Sequence, residues 1–188
     1  MRHRIQAHLC KERKVSNDHS PSSVRHTKQA ANVHFRQNIK PHKAYTKSEL
    51  DKIYRIAGNH SAAMLAMVHL LYDGALRIQD AVGLTFGDIT KVKLDASGYR
   101  HIDIVGKKTY GRRISIRQPV YDAVKKYQDY LGAEDSKVMF EPGAGTNPIN
   151  PWVMKVHRCF KKAGIDVQSH DFRTSRITDL YNSSKNVV

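Results

Sequence analysis

The hydrophobic period of this chain changes once, in its middle, and that change limits the folds open to it. From Thr46 to about Leu84 and again beyond Pro119, apolar residues recur at helical spacing, whereas residues 101–105 (HIDIV) and 112–116 (RRISI) alternate or run β-branched. The two short runs are separated by GKKTYG, with glycine at both ends, and this predicts a β-hairpin with a basic turn. One hairpin among helices, without internal repeats, predicts a mainly α domain with a small antiparallel β-sheet, of the α+β class.

The helical stretches carry their own start and stop signals. Thr46 and Glu49 in TKSE form a capping box ahead of LDKIYRIAG, with Gly58 as the expected end. SAAMLAMVHLLYDG places Met64, Leu65, Val68, Leu71 and Tyr72 on one stripe and Gly74 at its stop. A short helix is expected from Leu76 to Leu84. Pro119 starts another, with Val120, Val124, Tyr127 and Leu131 on its inner face. PWVMKVHRCFKKAG should bury Trp152, Val156, Cys159, Phe160 and Ala163, and a last helix should cover Phe172 to Asn182.

Charge separates the chain into two parts. The 188 residues carry 32 Lys and Arg against 17 Asp and Glu, a net charge of +15. Residues 1–44 hold ten of the basic residues, two of the acidic ones and six of the eleven histidines, while apolar residues there are sparse and irregular. This predicts a basic arm or linker, residues 1–44, before a folded domain, residues 45–188. The arm's histidines lack the spacing that would put two ligands on one helix face, so no metal is expected. Cys10 and Cys159 lie far apart without a CxxC pair, which predicts free thiols. Neither a signal peptide nor an apolar run long enough to span a bilayer is recognisable, which predicts a soluble intracellular protein. A surface this basic attracts phosphate backbones.

Three separated pieces place basic groups at element boundaries: YDGALRIQDAVGLTFGDI (72–89), VGKKTYGRR (105–113) and SHDFRTSRITDLYN (169–182). Arg77 falls at the start of a helix, where the dipole disfavours a cation unless an anion binds. Each piece alone has an ordinary reading, as a surface arginine, turn lysines or a helix-start histidine. Their order, spacing and structural context together resemble the tyrosine recombinase and phage integrase family over residues 46–188. Gly74, Leu76, Arg77, Asp80, Leu84, Asp88 and Ile89 fit its first arginine segment, Lys107 (with Lys108 adjacent) its hairpin lysine, and His170 and Arg173 its HxxR motif.

The resemblance implies DNA breaking and rejoining through a 3′-phosphotyrosine intermediate, with duplex DNA as partner, room for a homo-oligomer on that DNA, no cofactor and no membrane. Cutting DNA with a side-chain oxygen places charge on two non-bridging phosphate oxygens, which Arg77 and Arg173 would clamp with permanently charged forks. Lys107 would protonate the departing 5′ oxygen. His170 would assist the nucleophile or orient the phosphate, and Asp80 would be a buried orienter of the arginine cluster. Asp73, Asp80, Asp88, Asp95 and Asp103 leave no free cluster for a magnesium-dependent nuclease.

In the family the nucleophilic tyrosine follows the HxxR motif after a further helix and a glycine-histidine pair, whereas this chain ends fifteen residues after Arg173. Tyr181, the one tyrosine beyond the motif, is expected to pack into the core, and Tyr110 to be an exposed or DNA-contacting aromatic. The reading is therefore of a catalytic domain without its tyrosine segment, and no nucleophile is assigned. Residues 1–44 are also too few and too polar to be the family's helical core-binding domain. The alternative is a DNA-binding remnant or accessory protein that keeps the fold and the phosphate clamp.

Overall fold

The computed structural model describes residues 44–104, 111–144 and 147–185. These all belong to one compact unit, Pro41–Val188. The expected basic arm lies, except for Ala44, outside the described residues, and so does the hairpin turn with Lys107, Lys108 and Tyr110.

Among the described residues, seven α-helices and two strands follow in order: α1 Lys47–His60, α2 Ala62–Leu71, α3 Ile78–Ala81, α4 Gly87–Thr90, β1 Arg100–Ile104, β2 Arg112–Ile116, α5 Gln118–Leu131, α6 Asn150–Lys162 and α7 Ser169–Lys185. The α1 capping box forms as its sequence implies, with Thr46 Oγ1 accepting from Glu49 N and Glu49 Oε2 accepting from Thr46 N. Gly58 does not end α1, which runs on to His60. The serine at 61 ends it instead and caps α2 through its hydroxyl, which accepts from Met64 N at 3.1 Å.

Helix α2 is apolar nearly all round, and Met64, Ala66, Met67, Val68, Leu70 and Leu71 are all buried. The expected single stripe was too narrow: such a helix has no polar face to turn outward and becomes the centre of the domain, packed by α1, α5, α7 and α3. It ends where expected. Gly74 N donates to His69 O and Leu76 N to Leu70 O, both at 3.1 Å, and Ala75 takes up a left-handed backbone at φ 48°.

The hairpin is antiparallel, with Arg100 opposite Ile116 and Ile104 opposite Arg112. Ile102, Ile104 and Ile116 face the core, so the period of two seats the sheet against the helices. The segment before it is pinned by Phe86 N donating to Lys137 O and by a single bridge between Thr85 and Val138.

Some burial expectations are corrected at element ends. Leu131 is 41% exposed because it closes α5, next to left-handed Gly132. Trp152 and Ala163 are half-buried at the two ends of α6, Trp152 stacking edge-on against Phe140 and donating from Nε1 to Glu141 O. The helix expected over residues 76–84 is a single turn, α3. Helix α7 begins three residues earlier than expected, where Asp171 Oδ2 accepts from Gln168 N at 3.0 Å.

Candidate phosphate-binding site

The end of α2 and the start of α3 form a short ledge, residues 75–80, in which Leu76 and Ile78 are buried and Arg77 and Gln79 exposed, and basic side chains from three parts of the chain gather there. Arg77 lies on the ledge itself. Its side chain is exposed, and its backbone N donates to Asp80 Oδ2 at 3.1 Å. Because α3 is only four residues long, the dipole cost expected for Arg77 does not apply in full, and the ledge shape rather than a long helix presents it.

Arg173 reaches the ledge from α7. It is half-buried, and its Nη1 donates to the carbonyl of Ala75. That carbonyl is aimed by the left-handed turn at Ala75, so the stop signal of α2 also makes the seat for Arg173. Helix α7 is held in place by Ser175, whose buried hydroxyl accepts from Tyr45 N at 2.8 Å, and by Asp179, which accepts from the Tyr72 hydroxyl. The rings of Phe172, Tyr45 and Phe160 pack beside these bonds.

The electrostatics report the same gathering. Burial lowers the Arg173 pKa from the ordinary guanidinium value, the nearby cations Arg112 and Arg77 lower it further, and Asp80 opposes them. His170 is exposed in the first turn of α7, three residues before Arg173 on the same helix. Arg77 and Arg173 therefore meet, with His170 one turn away. Lys107 belongs to the segment outside the described residues that joins Ile104 to Gly111.

Sequence reasoning missed Arg112. It heads β2 opposite Ile104, and its Nη2 donates to Asp80, whose side chain is only 7% exposed. Asp80 thus holds Arg112 and the backbone of Arg77 together. The signal was present in the paired arginines at 112 and 113, since alternation along a strand sends neighbours to opposite faces. Arg113 lies on the other face, paired in solvent with Asp103 at 3.0 and 3.1 Å.

Asp88 and Ile89, which also fit the family pattern, serve the fold. Asp88 Oδ2 accepts from Thr85 N at 2.7 Å, and Ile89 is fully buried.

A second basic surface runs along α6. Lys155, Arg158 and Lys162 share one helix face, bordering an open groove with His60 and Met154. None of the three has an ion-pair partner among the described residues, which leaves their charge available to an anionic partner. This groove contains none of the arginines of the ledge.

Tyr181 is not a core residue. It is 58% exposed, with Lys185 Nζ 4.4 Å above its ring, and Ile177 and Leu180 beside it are also exposed. The expectation failed because the inward face of α7 carries Phe172, Ser175 and Asp179, whereas Tyr181, nine residues beyond Phe172, falls on the opposite side of the helix. Tyr181 stands eight residues beyond Arg173, about 12 Å along the helix axis. Other tyrosine hydroxyls are engaged elsewhere: Tyr54 with Asp73 at 2.7 Å, Tyr72 with Asp179, and Tyr127 with the Met139 carbonyl at 3.2 Å. Among the described residues no group of three or more His, Cys, Asp or Glu could hold a metal ion, and no helix is long and apolar enough to cross a membrane.

Residues 43–187 match the sequence profile of the phage integrase family. The tyrosine recombinase XerD of Rickettsia bellii (strain RML369-C) is 31% identical over 81 residues, covering 43% of this chain and 27% of that protein. The crystal structure of the XerA recombinase superposes with a TM-score of 0.60 at 20% identity, over 75% of this chain and 51% of the other. The XerH site-specific recombinase bound to its difH substrate gives 0.56 at 19% identity, over 74% and 42%. The Tn1549 transposon integrase in complex with transposon right end DNA gives 0.56 at 17%, over 78% and 55%. At these identities the structural likeness establishes the fold. The chain spans about half the length, or less, of these relatives.

Proposed function

Because this chain belongs to the phage integrase family and covers its tyrosine recombinase catalytic domain, we propose that it supplies the phosphate-binding core for site-specific breaking and rejoining of duplex DNA. The observation that carries this reading is that Arg173, from the last helix, is anchored on the carbonyl of Ala75, two residues from Arg77 and close enough to feel its charge. Two guanidinium groups on one ledge provide the always-charged, fork-shaped donors that a trigonal-bipyramidal phosphate needs on its non-bridging oxygens.

In this reading Arg77 and Arg173 bind the scissile phosphate, His170 orients it or assists the nucleophile, and Lys107 protonates the leaving 5′ oxygen. The intermediate is a 3′-phosphotyrosine, which conserves the energy of the broken phosphodiester for rejoining. The basic face of α6 adds sequence-independent phosphate contacts, and the chain acts on DNA as a homo-oligomer. Soluble, intracellular placement follows from a DNA substrate.

A second reading is favoured by the placement of Tyr181, which is exposed but about a dozen ångströms along α7 from Arg173. It is a DNA-binding protein that keeps the fold and the clamp without cutting. A nicked suicide duplex, tested with a family segment bearing the nucleophilic tyrosine joined to Val188, separates the two. A covalent protein–DNA adduct lost in Arg77→Ala and Arg173→Ala, with duplex binding retained, supports strand transfer. Salt-sensitive duplex binding without an adduct supports the second reading, and an absence of duplex binding rejects both.

A further inference from the structure

The ledge at residues 75–80 receives an arginine at each end. Arg173 is fixed to the Ala75 carbonyl, Arg112 is fixed to the Asp80 carboxylate, and Arg77 stands between them, with one helical turn, about 5 Å of rise, separating it from Asp80. Asp80 is almost covered, at 7% exposure, whereas the Arg112 side chain keeps 27%. The pair therefore turns its cation, and not its carboxylate, toward solvent.

A guanidinium offers five N–H donors in a fixed fork, and Asp80 accepts from one nitrogen of Arg112. The remaining donors have no partner among the described residues. Asp80 pairs with the guanidinium of Arg112 alone and acts on Arg173 only through space, so the ledge carries an excess of positive charge that an anion would relieve. The direction of the Arg173 perturbation, lowered by Arg112 and by Arg77 in addition to burial, agrees with that crowding.

We propose that Arg112 is a third phosphate-binding arginine of this site, its fork shared between Asp80 on one side and a non-bridging oxygen of the DNA phosphate on the other. Asp80 is then a positioning residue, which sets the plane of Arg112 and anchors the backbone of Arg77. The inference rests on the phosphate site of the strand-transfer reading and adds a ligand to it.

The first measurement needs no variant. In the 188-residue chain the arginine Nε–Hε resonances are followed by 15N NMR while inorganic phosphate is added. The expected result is that Arg77, Arg112 and Arg173 shift along one binding curve. Arg112 remaining still while the other two move overturns the proposal, and all three remaining still overturns the phosphate site as well.

The second measurement is duplex DNA binding by fluorescence anisotropy across a salt series. Arg112→Gln should lower the slope of log affinity against log salt by about 1, as should Arg77→Gln and Arg173→Gln. Arg113→Gln, on the opposite face, should not change it, and Arg112→Lys should largely retain it. If Arg112 is committed wholly to Asp80, Arg112→Gln leaves the slope unchanged and Asp80→Asn raises it by about 1, either of which refutes the proposal. Thermal melts of each variant confirm that binding is compared between folded proteins.

Discussion

Two adjacent residues at the end of α2 should respond in opposite ways to exchanging glycine and alanine. A methyl group at Gly74 would stand 2.7 Å from the Leu70 carbonyl oxygen, with the Leu70 C and Cα at 3.5 and 3.6 Å. The obstructing atoms are backbone in a buried helix, so relief requires moving the helix end. Overpacking of this kind costs about 1–3 kcal/mol. Restricting the unfolded chain by replacing glycine returns about 0.4–1 kcal/mol. The net expectation for Gly74→Ala is a loss of about 1–2 kcal/mol, or roughly 2–8 °C in Tm for a domain of this size.

At Ala75 the balance reverses. Its φ of 48° places a side chain in the left-handed region, at a cost of about 1–2 kcal/mol. Glycine removes that cost and forfeits about 0.5–1 kcal/mol through its freer unfolded state, so Ala75→Gly should be neutral or stabilising by up to about 1 kcal/mol. Urea and thermal unfolding of both variants provide the assay. Because the Ala75 carbonyl seats Arg173, Gly74→Ala should also weaken duplex DNA binding, whereas Ala75→Gly should not. A Gly74→Ala protein as stable as the parent, or an Ala75→Gly protein less stable by more than 1 kcal/mol, would refute the assigned geometry of this turn.

Ser175→Ala should cost about 1–3 kcal/mol in denaturant unfolding, because it strips the acceptor from the buried Tyr45 N–H. Asp95, Asp103 and Asp135 titrate below the ordinary carboxylate value of 3.8, held down by hydrogen bonds led by Tyr99 N, Arg113 and Gln128 respectively. Since each folded pKa lies below the unfolded one, the stability they add is complete above the unfolded value and is lost as pH falls through the folded value. Carboxyl 13C titrations should place all three midpoints under 3.8, and the contribution of these three groups to stability should be lost as pH falls through that acid range. On a nicked suicide duplex no adduct should map to Tyr181, and Tyr181→Phe should match the parent in DNA binding. An adduct on Tyr181 lost in that variant would mean that α7 rearranges on DNA.

The parts of the fold that follow from local period and punctuation were legible in the sequence. The hairpin was visible because alternation and glycine brackets coincide, and the α2 stop because Gly74 follows an apolar run. The burial of α2 on most sides was less visible, because a stripe is defined only against a polar face that this helix lacks. Arg77, His170 and Arg173 could be named through family resemblance, but their convergence depends on α7 crossing the end of α2, a tertiary relation fixed by Ser175 with Tyr45 and by Tyr72 with Asp179. Arg112 escaped notice because its significance lies in Asp80, a partner 32 positions away. Tyr181 was misread because its aromatic character was weighed above its helical phase: nine residues beyond buried Phe172, it lies on the opposite side of α7.

The most direct measurement is a crystal structure of this chain bound to a nicked DNA duplex. One backbone phosphate is expected within hydrogen-bonding distance of the guanidinium groups of both Arg77 and Arg173, with His170 beside it and the basic face of α6 along the flanking backbone. DNA lying on another face of the domain, with the two arginines contacting no common phosphate, would contradict the assignment of residues 75–80 as the phosphate site.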